Sequence, residues 1–201
     1  MTPPPPRVTR EIKSPTFERA PPPVLFGYDP DEDGASSVAR FVRGDPVAPP
    51  SRDRTYPLYV RRSALARMLD ESTSAQPLEA MGLLAGARYE WRGQTYAIVR
   101  DAVTGEREAT ETTVRFALER VSLLEALDAL DYPYVLVGWW HSHPGYSCFL
   151  SETDVETQQR MFRERHHRAI VVDPAARDVR AFLVDDDGQA RESAFAVVED
   201  A

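Results

Sequence analysis

Residues Tyr134–Trp140, YVLVGWW, form an unbroken apolar run that ends abruptly in His141-Ser142-His143-Pro144. A strand with one wet face alternates apolar and polar residues, whereas a continuous run belongs to a strand covered on both faces. The run therefore demands a sheet with layers packed on either side. Around it, periodicity predicts a short strand at Pro57–Val60, a helix over Ser63–Glu71 with Leu65, Met68 and Leu69 on one face, and a hairpin of Gly82–Tyr89 with Gln94–Asp101 turning at Arg92-Gly93. After a polar loop at Val103–Thr112 come a helix over Glu119–Leu130, the central strand, a helix over Ser151–Arg163, a buried strand at Ala169–Val172 and an antiparallel pair at Val179–Val184 and Ala194–Val198. Helices interleaved with hairpins give an α+β class, or a three-layer α/β arrangement.

Twelve of the seventeen prolines lie in the first fifty residues. Proline lacks the N–H that a ladder needs, so residues 1–55 are expected to be an extended or partner-binding tail and 56–201 the folded domain. Within the tail, Pro21–Asp33 mixes aromatics with an acidic run, the composition of a docking peptide or of a segment that packs on its own domain.

The chain has 201 residues and a formal charge of -8, which argues against nucleic acid as a partner, since phosphate contacts need clustered basic surface. No apolar stretch reaches the ~20 residues that span a bilayer, so no membrane partner is expected. The single cysteine, Cys148, has no intrachain partner, and no signal-peptide pattern opens the chain; a reducing, cytoplasmic setting is the expectation. Lys13 is the only lysine beside 23 arginines, a bias that high-GC coding produces.

Alternation along a strand puts His141 and His143 on one side, at a strand end where Pro144 stops regular pairing and a ligand can approach. Two imidazoles still need a third donor. Asp154 offers one, although Ser151 with Asp154 three residues on is also the spacing of a helix N-cap. Two histidines and a carboxylate would leave tetrahedral Zn2+ one open position, as in catalytic rather than structural sites. Glu79, immediately before the apolar stretch Met81–Gly86, is the candidate general base; a carboxylate there is costly unless partnered, and a loop-end glutamate is the plainer reading. Cys148 reads as packing, and His166-His167 as a solvated helix end.

Glu79, His141-Ser142-His143-Pro144, Ser151 and Asp154 together resemble the JAMM signature of the MPN-domain metalloproteases, E…H-[ST]-H-P-x(6)-S-x-x-D. The stretches MGLLAG, VGWWHSHPGYSCFLSETDVETQQ and AIVVDP are similar to the catalytic subunits of the proteasome lid and the signalosome, and the resemblance covers about residues 57–198. It implies a cytidine-deaminase-like MPN/JAMM fold with a mixed curved sheet, one catalytic Zn2+ on His141, His143 and Asp154, proton transfer by Glu79 and oxyanion stabilisation by Ser151. It implies an isopeptidase that removes a ubiquitin-like protein from its conjugates, with activating and conjugating enzymes as pathway partners; composition adds a prokaryotic setting. A processing peptidase for a ubiquitin-like or sulfur-carrier precursor and a noncatalytic MPN scaffold are the alternatives.

Overall fold

The computed structural model describes residues 17–34, 36–47, 54–104 and 121–200. In chain order the elements are β1 (Phe17–Glu18), β2 (Val24–Tyr28), α1 (Ser36–Arg43), β3 (Leu58–Arg61), α2 (Arg62–Ala75), β4 (Met81–Trp91), β5 (Gln94–Thr104), α3 (Val121–Asp128), β6 (Val135–Ser142), α4 (Glu152–Met161), β7 (Arg168–Asp173), β8 (Asp178–Val184), β9 (Ala190–Ser193) and β10 (Phe195–Val198). One mixed sheet runs β2-β10-β3-β5-β4-β6-β7-β8-β9, with β1 alongside the far end of β4. Register shifts in β4 and β10 mark bulges, which bend strands and curve the sheet.

The apolar run sits where its composition requires. β6 lies between β4 and β7, and its neighbouring tryptophans leave on opposite faces. Trp140 joins a core with Val38, Leu65, Met68 and Ile170, under α1 and α2; Trp139 joins another with Leu83, Leu123, Leu127 and Phe162, under α3 and the end of α4. Helices on both faces of a mixed sheet make an α+β fold of three layers, as expected. Gly138 is required between them: its φ is +151°, and a Cβ there would lie 1.9 Å from the Arg168 carbonyl oxygen of β7. Among the described residues no helix is long and apolar enough to cross a membrane.

The N-terminal stretch departs from the expectation of a tail through residue 55. Val24–Tyr28 pairs antiparallel with β10, Phe26 and Tyr28 are buried, and Phe26 stacks on Phe41 of α1 with ring centroids 4.5 Å apart. The prolines flank this strand rather than interrupt it, and an edge strand needs a partner on one side only. Pro21–Asp33 therefore packs on its own domain through β2. Residues 1–16, 35 and 48–53 of the expected tail, and 105–120 of the expected loop and helix start, lie outside the described residues.

Candidate metal centre

The end of β6 is clamped from both sides. Ser142 donates its N–H to the Ala80 carbonyl (2.9 Å) and accepts the Ala80 N–H on Oγ (2.8 Å); His143, one residue past the strand, donates its N–H to Val172 of β7 (2.8 Å). His141 and His143 thus project from fixed backbone on the Trp139 face. The His141 ring lies flat on the Trp139 ring, centroids 4.6 Å apart at 11°, and meets the His143 ring at 4.7 Å and 69°.

The two Nε2 atoms are 3.0 Å apart, and Asp154 Oδ2 is 3.4 Å from that of His141 and 3.9 Å from that of His143. All three side chains offer a donor atom within 4.8 Å of the others. His143 Nδ1 lies 3.2 Å from the Ser147 carbonyl oxygen. A carbonyl only accepts, so Nδ1 carries the hydrogen and Nε2 presents its lone pair. His141 Nδ1 is buried and has no hydrogen-bond partner among the described residues. Burial, followed by the charge of His141, lowers the His143 pKa and favours the neutral ring. His141 Nε2, His143 Nε2 and Asp154 Oδ2 can lie this close only with a proton or a cation among them. Two nitrogens and one carboxylate oxygen are a donor set that suits Zn2+.

Asp154 lies in the first turn of α4, whose N-cap is Ser151. The capping reading of Ser-x-x-Asp holds, and the same Asp154 oxygen that caps also faces the two histidines. Asp154 donates its N–H to Ser151 Oγ (3.3 Å), while Asp154 Oδ2 accepts from the Ser151 N–H (2.8 Å) and hydroxyl (2.6 Å). Burial pushes this carboxyl up, but the hydrogen bond and charge of His141, with the two bonds from Ser151, outweigh it and hold the pKa at about 2. The acid is ionised where a cation would need it.

Glu79 lies two residues before β4, whose first residue, Met81, pairs with His141 across the antiparallel ladder. The ladder ends at that pair; Glu79, half-buried, lies two residues before Met81, as His143 lies two residues beyond His141. Cys148 stands apart from the cluster: it packs against the Trp139 core, and burial, with the Asp178 charge, pushes its thiol up to about 12, so it is neither thiolate nor ready ligand.

Two residues near the centre escaped the sequence reading. Gln158, one turn beyond Asp154, is 4% exposed; its Oε1 accepts the Trp139 indole N–H (2.7 Å) and its Nε2 donates to the Phe162 carbonyl (3.0 Å). It fastens the helix bearing Asp154 to the strand bearing His141. Phe149, 47% exposed, rests its ring 4.7 Å from that of His143. The expectation of a solvated helix end at His166-His167 is corrected. Both rings are buried, because the chain turns inward after α4 to enter β7; His166 Nε2 lies 3.1 Å from the Leu136 carbonyl and His167 Nδ1 accepts the Glu164 N–H.

Comparison with known proteins bears on these residues. A sequence profile described as "JAB1/Mov34/MPN/PAD-1 ubiquitin protease" matches residues 55–166. The chain is 35% identical over 132 residues to the 26S proteasome regulatory subunit RPN11 of Encephalitozoon cuniculi, covering 62% of this chain and 42% of the relative. It is 35% identical over 168 residues to COP9 signalosome complex subunit 5 of Aspergillus fumigatus, covering 81% of this chain and 46% of that one. The chain thus spans less than half the length of these curated relatives. Among solved structures, protein DSY2949 of Desulfitobacterium hafniense shares the fold at a TM-score of 0.50 and 22% identity, over 71% of this chain and 93% of that one.

Proposed function

The chain belongs to the JAB1/Mov34/MPN/PAD-1 family, and from that premise we propose that it is a zinc-dependent isopeptidase, cleaving after the C-terminal glycine of a ubiquitin-like protein to release it from conjugated targets. The convergence of His141 Nε2, His143 Nε2 and Asp154 Oδ2 is the observation that supports this reading most directly. These three residues would hold the Zn2+. When bound, Zn2+ supplies Lewis acidity toward the scissile carbonyl and brings the pKa of water down to about 7.

The other roles fall to side chains around it. Glu79, two residues before the Met81–His141 pair, takes a proton from the attacking water and returns it to the leaving amine. Ser151 donates to the oxyanion, a contribution worth ~10²-fold or more in rate for one donor. Its hydroxyl hydrogen points to Asp154 Oδ2 here, so that role requires the hydroxyl to turn away from the carboxylate. An extended substrate tail ending in glycine suits the site because glycine lets the backbone approach closely. The partners this reading calls for are a ubiquitin-like protein, its conjugates, and the enzymes that activate and attach it.

Replacing the proton carrier tests the proposal. Glu79→Gln should retain one zinc per chain by elemental analysis and lose cleavage of an isopeptide-linked, diglycine-ending ubiquitin-like conjugate. Full cleavage by that variant would sink the mechanism.

A further inference from the structure

We propose that Asp173 is a positioning residue of the metal centre: its carboxylate holds the Gly145–Ser147 turn in the one conformation that fixes the His143 imidazole with Nε2 bare. This rests on the reading of His143 as a metal ligand, but the orientation it describes is a property of the chain itself.

Asp173 ends β7 and is 3% exposed. Its carboxylate accepts four backbone N–H groups. Those of Ala175 (3.0 Å) and Ala176 (3.2 Å), both on Oδ1, close the turn that leads to β8, a common local use of aspartate. The other two come from distant sequence: Gly145 N–H on Oδ1 and Ser147 N–H on Oδ2, each at 3.1 Å. A buried carboxylate is therefore spent on an exposed turn.

Within the turn itself one further backbone bond closes, from the Tyr146 N–H to the His143 carbonyl at 3.3 Å. Gly145, Tyr146 and Ser147 are all exposed, Tyr146 at 71%. Gly145 has φ +81° and Ser147 φ +69°, and a residue with a Cβ stays in the left-handed region only where its surroundings fix it. Ser147 is fixed at both ends of its backbone. Its N–H goes to Asp173, and its carbonyl accepts from His143 Nδ1 at 3.2 Å. Asp173 thereby acts on His143 through one residue. With the Ser147 carbonyl in place, the hydrogen stays on Nδ1 and the lone pair of Nε2 faces His141 and Asp154. If the turn relaxes, that tautomer loses the Ser147 carbonyl as its acceptor.

The tautomer is readable without metal or substrate. In metal-free full-length protein labelled with 15N-histidine, long-range 1H–15N correlation should show His143 protonated on Nδ1. Asp173→Asn, which removes an acceptor oxygen from the turn, should shift His143 toward the Nε2–H form and weaken Zn2+ binding, measured against a chromogenic chelator, by ~10-fold or more. Adding Ser147→Gly, which suits positive φ and keeps every backbone group, should recover much of both losses. Because Asp173→Asn also touches the β7–β8 turn, Ser147→Pro serves as an independent variant. It removes the Ser147 N–H and the positive φ without touching the β7–β8 turn, and should lose the tautomer and the affinity in protein that still unfolds in one cooperative transition. An unchanged His143 tautomer in both Asp173→Asn and Ser147→Pro overturns the proposal. Wild-type protein that binds no Zn2+ would refute the metal reading instead, with the tautomer still deciding for or against Asp173.

Discussion

Replacing Gln158 by leucine isolates the tie between α4 and β6. Leucine has nearly the volume of glutamine, so packing changes little, but the Trp139 indole N–H and the Phe162 carbonyl each lose the partner seen at 2.7 and 3.0 Å. A buried polar group left unmade costs ~1–3 kcal/mol, which puts two of them at about 2–6 kcal/mol. The two are not equally enclosed. A cleft of about 520 Å³ lined by Gln158, Phe162 and His167 opens beside the carbonyl end, whereas the indole end faces the core under His141. The expected loss is therefore in the lower half of that range, about 2–3 kcal/mol, most of it from the indole. Urea unfolding measures it as a lower midpoint at constant slope. A double-mutant cycle then apportions it: in a Trp139→Phe background, which has no indole N–H, Gln158→Leu should cost about 2 kcal/mol less. A loss under about 0.5 kcal/mol, or a coupling of zero, would refute the view that Gln158 fastens the Asp154 helix to the His141 strand.

Two further outcomes follow from buried groups away from the centre. Burial and the neighbouring His166 depress the His167 pKa from 6.5 to about 4, so the folded protein keeps this ring neutral while the unfolded chain protonates it. Its stabilising contribution is complete above pH 6.5 and drains away as pH falls to about 4; 2.5 units at 1.36 kcal/mol each is about 3 kcal/mol. His167→Gln should flatten that part of the stability profile, and a slope equal to wild type between pH 6.5 and 4.5 would count against it. Phe26→Ala should cost ~3–5 kcal/mol by denaturation, since the ring is 2% exposed and stacked on Phe41; a near-zero cost would mean that β2 is a detachable tail after all.

What the sequence made legible was local. The run through Trp140 announced a doubly covered strand because burial on both faces leaves no position for a polar residue, and Trp139 and Trp140 do point into separate cores. His141 and His143 could be placed on one side because strand alternation is short-range geometry. Gln158 and Asp173 stayed hidden for the opposite reason. In TQQ a glutamine looks like helix surface, and in VVDP an aspartate looks like the start of a turn; what distinguishes them is a partner 19 or 26 residues away. β2 was missed because proline counts describe a segment's average, whereas pairing depends on which residues lie between the prolines.

Ser-x-x-Asp at the start of α4 shows how a structural device and a chemical one come to share atoms. A capping box fixes the side-chain torsions of both its members, so the Asp154 carboxylate is ordered when the helix forms rather than when a cation arrives. The positive end of the helix dipole also favours its charge, in line with a pKa near 2. The arrangement has an opposing consequence. Oδ2 already accepts two hydrogen bonds from Ser151, each of which draws electron density from the oxygen that faces His141. The Ser151 hydroxyl has one hydrogen, and it cannot serve Asp154 and an oxyanion at once. If Ser151 acts in both capacities, it does so in sequence: with its hydrogen on Asp154 while the site is at rest, and turned away as negative charge develops on the substrate.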